Sequence, residues 1–326
     1  MIAGSSPNRY SVYGVDVASE WPFELPPLTD AADSIARVEF VQGDDDDFQD
    51  PAGGALASAE DGWFVCRLLP DRSAYLRWSG LYEFRIGRGG ARVASRPLEG
   101  SGVPVLQNFL FAQTLSFALV YQDVEPLHAT VVRIDDFAIG FLGDCGFGKS
   151  TLLASFVADG FQVLTDDLLV VDLSDDRPIA RSGSGRIKLR PDSASAFLGD
   201  VNRGVPLHAK TTKRAFTLDD TRLHRGSLPL VALFVLPAPR ERQATMSMIQ
   251  IAPMSRPAFM QELLKNTFNS EIVDRRRLAA QFSFAARVAS EVAGVRLNYP
   301  AGLHHLPVLR ERIVEHARLL RVRNTQ

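Results

Sequence analysis

Cysteine is scarce: Cys66 and Cys145 are the two thiols in 326 residues. Two thiols cannot build a disulfide framework, so a disulfide-stapled secreted fold is excluded and a reducing cytoplasm is the expected compartment. Long apolar runs are missing as well. None reaches the roughly 18 residues that a membrane helix requires, so no membrane partner is expected. The opening MIAGSSPNRYSVYG lacks a basic n-region and an apolar h-region, and no secretory signal is read there. Basic and aromatic residues do not interleave, which argues against nucleic acid as a partner. No internal repeat is visible.

What is present is an ordinary globular composition, 46% hydrophobic and 23% charged. The length suits two domains. The net charge of −2 conceals an asymmetry: residues 1–66 carry thirteen acids and two bases, or −11, which leaves +9 on the remainder. A basic remainder suits an anionic ligand such as a nucleotide.

The first third reads as β-rich, with strands expected at 38–41, 63–66, 82–86 and 91–93. Within it lies GDDDDFQDPAGG, residues 43–54. Four adjacent aspartates suit a metal cage or a solvated loop, and contiguous like charge favours the loop. From Val105 to Tyr121 the apolar spacing predicts a buried helix. The domain boundary is placed near its end, giving a β-rich domain over 1–122 and a second domain over 123–326.

In the second domain ATVVRI (129–134) and FAIGFL (137–142) flank Asp135-Asp136 and predict a hairpin. A glycine loop follows, then an amphipathic helix from Lys149 to about Asp159. Strands are expected at 161–164, 168–172, 187–189 and 228–236. Helices are expected at 193–198, 256–267, 274–293 (closed by Gly294) and 306–321.

Residues 143–150 read Gly143-Asp144-Cys145-Gly146-Phe147-Gly148-Lys149-Ser150 and fit G-x-x-x-x-G-K-[ST] in full. Glycines let backbone amides curl around a β-phosphate without side-chain clashes. Lys149 is placed to reach β- and γ-phosphate oxygens, and Ser150 to ligate Mg²⁺. The helix that starts at Lys149 points its positive end at the phosphates. Cys145 fills a free position, either as a redox switch or as a tolerated small residue.

Asp166-Asp167 follows the next strand. Two carboxylates beside a phosphate loop divide two tasks, holding Mg²⁺ and taking a proton from an attacking hydroxyl. Adjacent residues on a strand face opposite ways, so both serve one site only if the chain turns there. Asp172, which ends an apolar strand, is the rival metal ligand. His128 precedes the hairpin, either near the phosphate or as a structural histidine.

LHATVVRIDDFAIGFLGDCGFGKSTLLASFVADGFQVLTDDLLVVD, residues 127–172, resembles the core of the HPr kinase/phosphorylase family and its related serine kinases, including lasso-peptide tailoring kinases. The shared pattern is a His-small pair, a hairpin, G-[DE]-x-G-x-G-K-S, a helix, and a Gly-hydrophobic stretch leading to Asp-Asp. The resemblance implies an α/β fold of α+β character. Its phosphoenolpyruvate-carboxykinase-like phosphate-loop core would be largely antiparallel, and a β-rich N-terminal domain would precede it. It further implies an ATP- and Mg²⁺-dependent cytoplasmic kinase whose acceptor is a hydroxyl, with serine of a peptide or protein expected. A free-serine-type small-molecule kinase and a non-catalytic nucleotide sensor are the alternatives, and a homo-oligomer is compatible. By the resemblance Gly143, Gly146, Gly148, Lys149, Ser150 and Thr151 hold phosphate and metal, with Asp144, Cys145 and Phe147 completing the loop. Asp166 is then the base, Asp167 the metal-linked acid, and His128 a neighbour of the transferred phosphate. Lys210, Lys213 and Arg214 fall where such proteins carry basic residues, and they either clamp γ-phosphate charge or form a solvated stretch. The Pro-Gly-Arg-type loop tied to phosphorolysis and HPr docking has no clear match, so neither of those properties is implied.

Overall fold

The computed structural model describes residues 7–28, 33–50, 56, 62–98, 102–175, 177–243 and 248–323. The chain divides into two compact units, residues 1–125 with 268–277, and 126–267 with 278–326.

In the first unit β1 (Asn8–Val12), β2 (Val15–Ser19), β3 (Ala36–Gln42), β4 (Phe64–Leu68), β5 (Ala74–Trp78), β6 (Tyr82–Ile86) and β7 (Arg92–Pro97) form one sheet. Its order is β1-β2-β3-β7-β6-β5-β4. β3 runs parallel to β2 and β7, and the other pairs are antiparallel. The helix expected over 105–121 is broken. It consists of α1 (Val103–Phe109), a π-helical turn over Leu110–Thr114 and α2 (Leu115–Val120). The break sets the Phe111 ring edge-on to Phe23 and Phe40, at centroid distances of 5.1 and 5.9 Å. The Phe111 carbonyl accepts from the buried Tyr13 hydroxyl at 3.2 Å. Aromatic packing plus a replacement hydrogen-bond partner therefore offsets the lost helical regularity.

Within the acidic segment Asp46–Phe48 form a short 3-10 turn, and its carboxylates are used locally. Asp44 accepts from the backbone of Asp46 and Asp47, Asp47 pairs with Arg92, and Asp45 pairs with Arg96. Arg96 in turn lies 4.3 Å over the Phe48 ring. Positions 51–54 of that segment lie outside the described residues. Segment 268–277 is fixed to this unit by Arg277, which is buried, pairs with Glu125 at 3.1 Å and donates to the carbonyls of Phe268, Asn269 and Ile272.

The second unit contains β8 (Ala129–Ile134), β9 (Phe137–Leu142), α3 (Lys149–Ala158), β10 (Val163–Thr165), β11 (Val171–Asp172), β12 (Ile179–Arg181), β13 (Arg186–Leu189) and α4 (Pro191–Leu198). It continues with β14 (Val205–Pro206), β15 (Arg214–Thr217), β16 (Ser227–Val235), α5 (Pro239–Gln243), β17 (Gln250–Pro253), α6 (Arg256–Lys265), α7 (Arg275–Glu291), β18 (Ala293–Asn298) and α8 (Leu306–Arg323), where the first residues of α7 belong to the other unit. The main sheet runs β10-β8-β9-β16-β12-β11, with β18 also on β16 and β17 on β18. It is mixed: β9 is antiparallel to β8, while β16 is parallel to β9 and β18. A small sheet, β13-β15-β14, stands apart.

The hairpin forms where expected because Asp135 accepts a left-handed backbone (φ 50°), a conformation aspartate tolerates better than most residues. Arg318 and Arg321 of α8 hold the Asp135 and Asp136 carboxylates, each at 2.9 Å. α3 is not amphipathic: Leu152 to Val157 are all buried, because the helix is packed against β8, α4 and α8. The strand expected over 168–172 shrinks to Val171–Asp172, with Leu169 making an isolated bridge to Leu127. Gly294 does not close α7. It lies in β18 beneath Phe259, where an added Cβ would come within 2.3 Å of the ring.

Candidate functional site

The sheet register assembles the site. Ala129 pairs with Leu142, which sets His128 and Gly143 at the same end of the hairpin. Thr165 pairs with Val131, which brings Asp166 alongside Thr130. Thr130 Oγ1 donates to Asp166 Oδ1 at 2.6 Å.

The loop after β9 turns through Gly143, Gly146 and Gly148 at φ 149°, 87° and 88°. At Gly148, the residue that opens α3, only glycine adopts this angle without strain. Lys149 is buried, and its ammonium donates to the carbonyls of Gly143 and Asp144. Burial lowers its pKa, against the opposing charges of Asp166 and Asp167.

The chain does turn at the acidic pair. Asp167 is left-handed (φ 69°), and the Leu168 N–H donates back to the Asp166 carbonyl at 3.0 Å. The two carboxylates then part company. Asp166 is buried, and its Oδ1 accepts from the Ser150 hydroxyl at 3.2 Å. Burial, and secondly the charge of Asp167, raise its pKa. Asp167 faces a cavity of about 330 Å³ and pairs with Lys188 at 2.7 Å. Burial works against its ionisation, but the Lys188 ammonium overcomes this and holds the carboxyl below the usual range.

His128, Asp144, Cys145, Gly146, Gly148, Lys149, Ser150, Thr151 and Lys213 line the same cavity. Burial, and secondly the charge of Lys149, lower the His128 pKa to about 4, so the ring is neutral near pH 7. Of the expected residues, Gly143, Phe147, Asp166, Asp172, Lys210 and Arg214 are not in the cavity wall. Asp172 pairs with Arg181 and accepts from Ser174 on β11, and it is not part of the cavity wall. Arg214 donates to the Gly204 carbonyl from β15, and Lys210 is exposed. Phe147 packs its ring against the hydrophobic core.

Residues that sequence reasoning did not single out complete the site. Asn266, buried just beyond α6, accepts from the Gly143 N–H at 3.0 Å through Oδ1 and from the His128 N–H at 2.7 Å through its carbonyl. Arg242 of α5 donates to the Phe147 carbonyl and lies 4.7 Å over the Tyr299 ring. Ser193 meets Thr151, hydroxyl to hydroxyl, at 3.0 Å. A helix-end asparagine or a lone arginine has no local signature. Lys188 was legible as part of a strand, but its contact with the acidic pair was not.

A hydroxyl and a carboxylate converging as Ser150 and Asp166 do make a hard-oxygen donor set, the kind Mg²⁺ prefers. Among the described residues no helix is long and apolar enough to cross a membrane.

No protein-family model matches the chain, and no curated protein matches it. A solved structure similar to it is the Hpr(Ser) kinase/phosphatase from Coxiella burnetii, at 16% identity and a TM-score of 0.33 over 60% of this chain and 96% of that one.

Proposed function

We propose that this protein is an ATP- and Mg²⁺-dependent phosphotransferase of the HPr-kinase-related type, which transfers a γ-phosphoryl group to the hydroxyl of a serine in a peptide or protein. The observation that carries the reading is that Asp144, Cys145, Gly146, Gly148, Lys149 and Ser150 line one cavity with a carboxylate, Asp167, while a second carboxylate, Asp166, is buried behind Ser150 and accepts from its hydroxyl. A sensor of nucleotide has no use for Asp167 as a further acid.

Loop amides and Lys149 bind the β- and γ-phosphates. Ser150 and Asp166 would hold Mg²⁺, which would supply neutralisation of the phosphate charge. Asp167 orients the acceptor hydroxyl and receives its proton as the new O–P bond forms and the β–γ bridging bond breaks toward ADP. This reverses the order implied by family resemblance, because the hydrogen bond to Ser150 is made by Asp166. A carboxylate of low basicity suits the task, since a loose phosphoryl-transfer transition state asks for positioning more than for a strong base. Neutral His128 and cationic Lys213 stand in the same wall.

The test is transfer of labelled γ-phosphate from ATP to serine-containing peptides, with free serine as the competing acceptor. Label on peptide supports the reading. Label on free serine alone moves the acceptor to small molecules, and ATP binding without transfer to either rejects catalysis.

A further inference from the structure

A single residue touches both members of the acidic pair. Lys188 sits on β13, in the small sheet that stands apart from the one bearing the phosphate loop. Its backbone N–H donates to Asp166 Oδ2 at 3.1 Å, while its ammonium lies 2.7 Å from Asp167 Oδ2. The Lys188 and Asp167 side chains are 19% and 22% exposed, and both line the cavity that holds Lys149 and Ser150. The backbone contact is anchored by the β13–β15 ladder, where Lys188 pairs with Ala215. The side chain reaches Asp167 from that fixed strand. An ammonium on a flexible four-carbon stem is a point charge with rotatable donors, able to leave one anion for another.

Building on the phosphotransferase reading above, we infer that Lys188 is a positioning residue that exchanges partners. Without nucleotide its ammonium holds Asp167. With a triphosphate it moves to the γ-phosphate oxygens, and Asp167 is released toward the acceptor hydroxyl. The strand stays in place through the Asp166 contact, so only the side chain moves. A diphosphate offers no γ-oxygens and leaves the Lys188–Asp167 pair intact. The acceptor's proton-taking group is thus freed only when a transferable phosphoryl group is present, and Lys188 discriminates tri- from diphosphate.

The experiment is calorimetric titration of the full chain with a non-hydrolysable MgATP analogue and with MgADP. The wild type is compared with Lys188→Met, Asp167→Asn and the double variant. Lys188→Met is expected to weaken the analogue about tenfold or more, the scale of a lost charge-assisted hydrogen bond, with MgADP changed by less than about twofold. Asp167→Asn is expected to tighten the analogue several-fold by releasing Lys188, and that gain is expected to vanish in the double variant. Equal weakening of both nucleotides by Lys188→Met, as a merely structural role gives, overturns the inference. So does an Asp167→Asn gain that persists in full without Lys188. If the wild type binds neither nucleotide, the phosphotransferase reading itself fails first. If Lys188→Met does not fold, Lys188→Gln carries the same measurement.

Discussion

Both units of this protein bury charge, and the second also sets like charges side by side at Asp166 and Asp167. Among the described residues of the first unit, each buried acid is matched. Asp16 lies between Arg9 and Arg37, Glu83 between Tyr75 and Arg96, and Glu125 against Arg277. In the second unit two carboxylates adjoin, and Lys149, Lys188 and Lys213 share one cavity wall with few acids to spare. Breaking a matched buried pair is costly, because it strands the remaining charge. Like charge held together is unfavourable unless a ligand of opposite sign completes it. On the proposed reading, the contrast separates a region of paired charge from one that receives a charged ligand.

Asp167→Asn is the sharpest way to break the contrast from the active side. Phosphoryl transfer is expected to fall by about two to four orders of magnitude, the usual contribution of a general base, while nucleotide binding persists in calorimetry. An unchanged kcat would move Asp167 out of the mechanism. The matching experiment in the first unit is Arg277→Met, which leaves Glu125 buried without its cation. A loss of about 3–5 kcal/mol in urea unfolding is expected, the cost of breaking a buried pair. A loss below about 1 kcal/mol, the surface-pair level, would show that Glu125 is not truly desolvated.

His128 sharpens the comparison through pH. Its folded pKa of about 4 lies below the ordinary 6.5, so the unfolded chain binds more protons between those values. Stability therefore rises with pH across that window and is lost as pH falls from 6.5 toward 4. The amplitude is at most on the order of 3 kcal/mol. Urea midpoints of wild type and His128→Gln at pH 4.5 and 7 measure it, and an identical slope in both contradicts it. Smallest is Asn266→Ala, which strips the Gly143 N–H of its buried acceptor. A stability loss of about 1–3 kcal/mol is expected, read as a lower urea midpoint.

Much of the second unit was legible because its elements are locally determined. The hairpin, α3, β16 and the last three helices follow from runs, turns and caps that lie within each segment. The glycine pattern of residues 143–150 is equally local, since the spacing itself sets the turns there. The broken helix was not legible, because the fate of Phe111 depends on Phe23 and Phe40, far away in sequence. β1, β2 and β5 went unread, although β4 and β6, of the same five-residue length, were read. Asn266, Arg242 and Lys188 act through distance: each reaches the site from an element whose own sequence speaks only of its shape. The division of Asp166 from Asp167 needed the left-handed turn and the register of β10 on β8.

Titration of the full chain with MgATP, beside Lys149→Ala, tests the central claim most directly. Wild type is expected to give a saturable one-to-one heat that weakens in EDTA. Lys149→Ala is expected to lose about a hundredfold or more in affinity while its unfolding midpoint stays near that of wild type, since the lost contact is a charge-assisted one to phosphate. Equal affinity in both proteins, or no binding by wild type, would contradict a phosphate loop at residues 143–150.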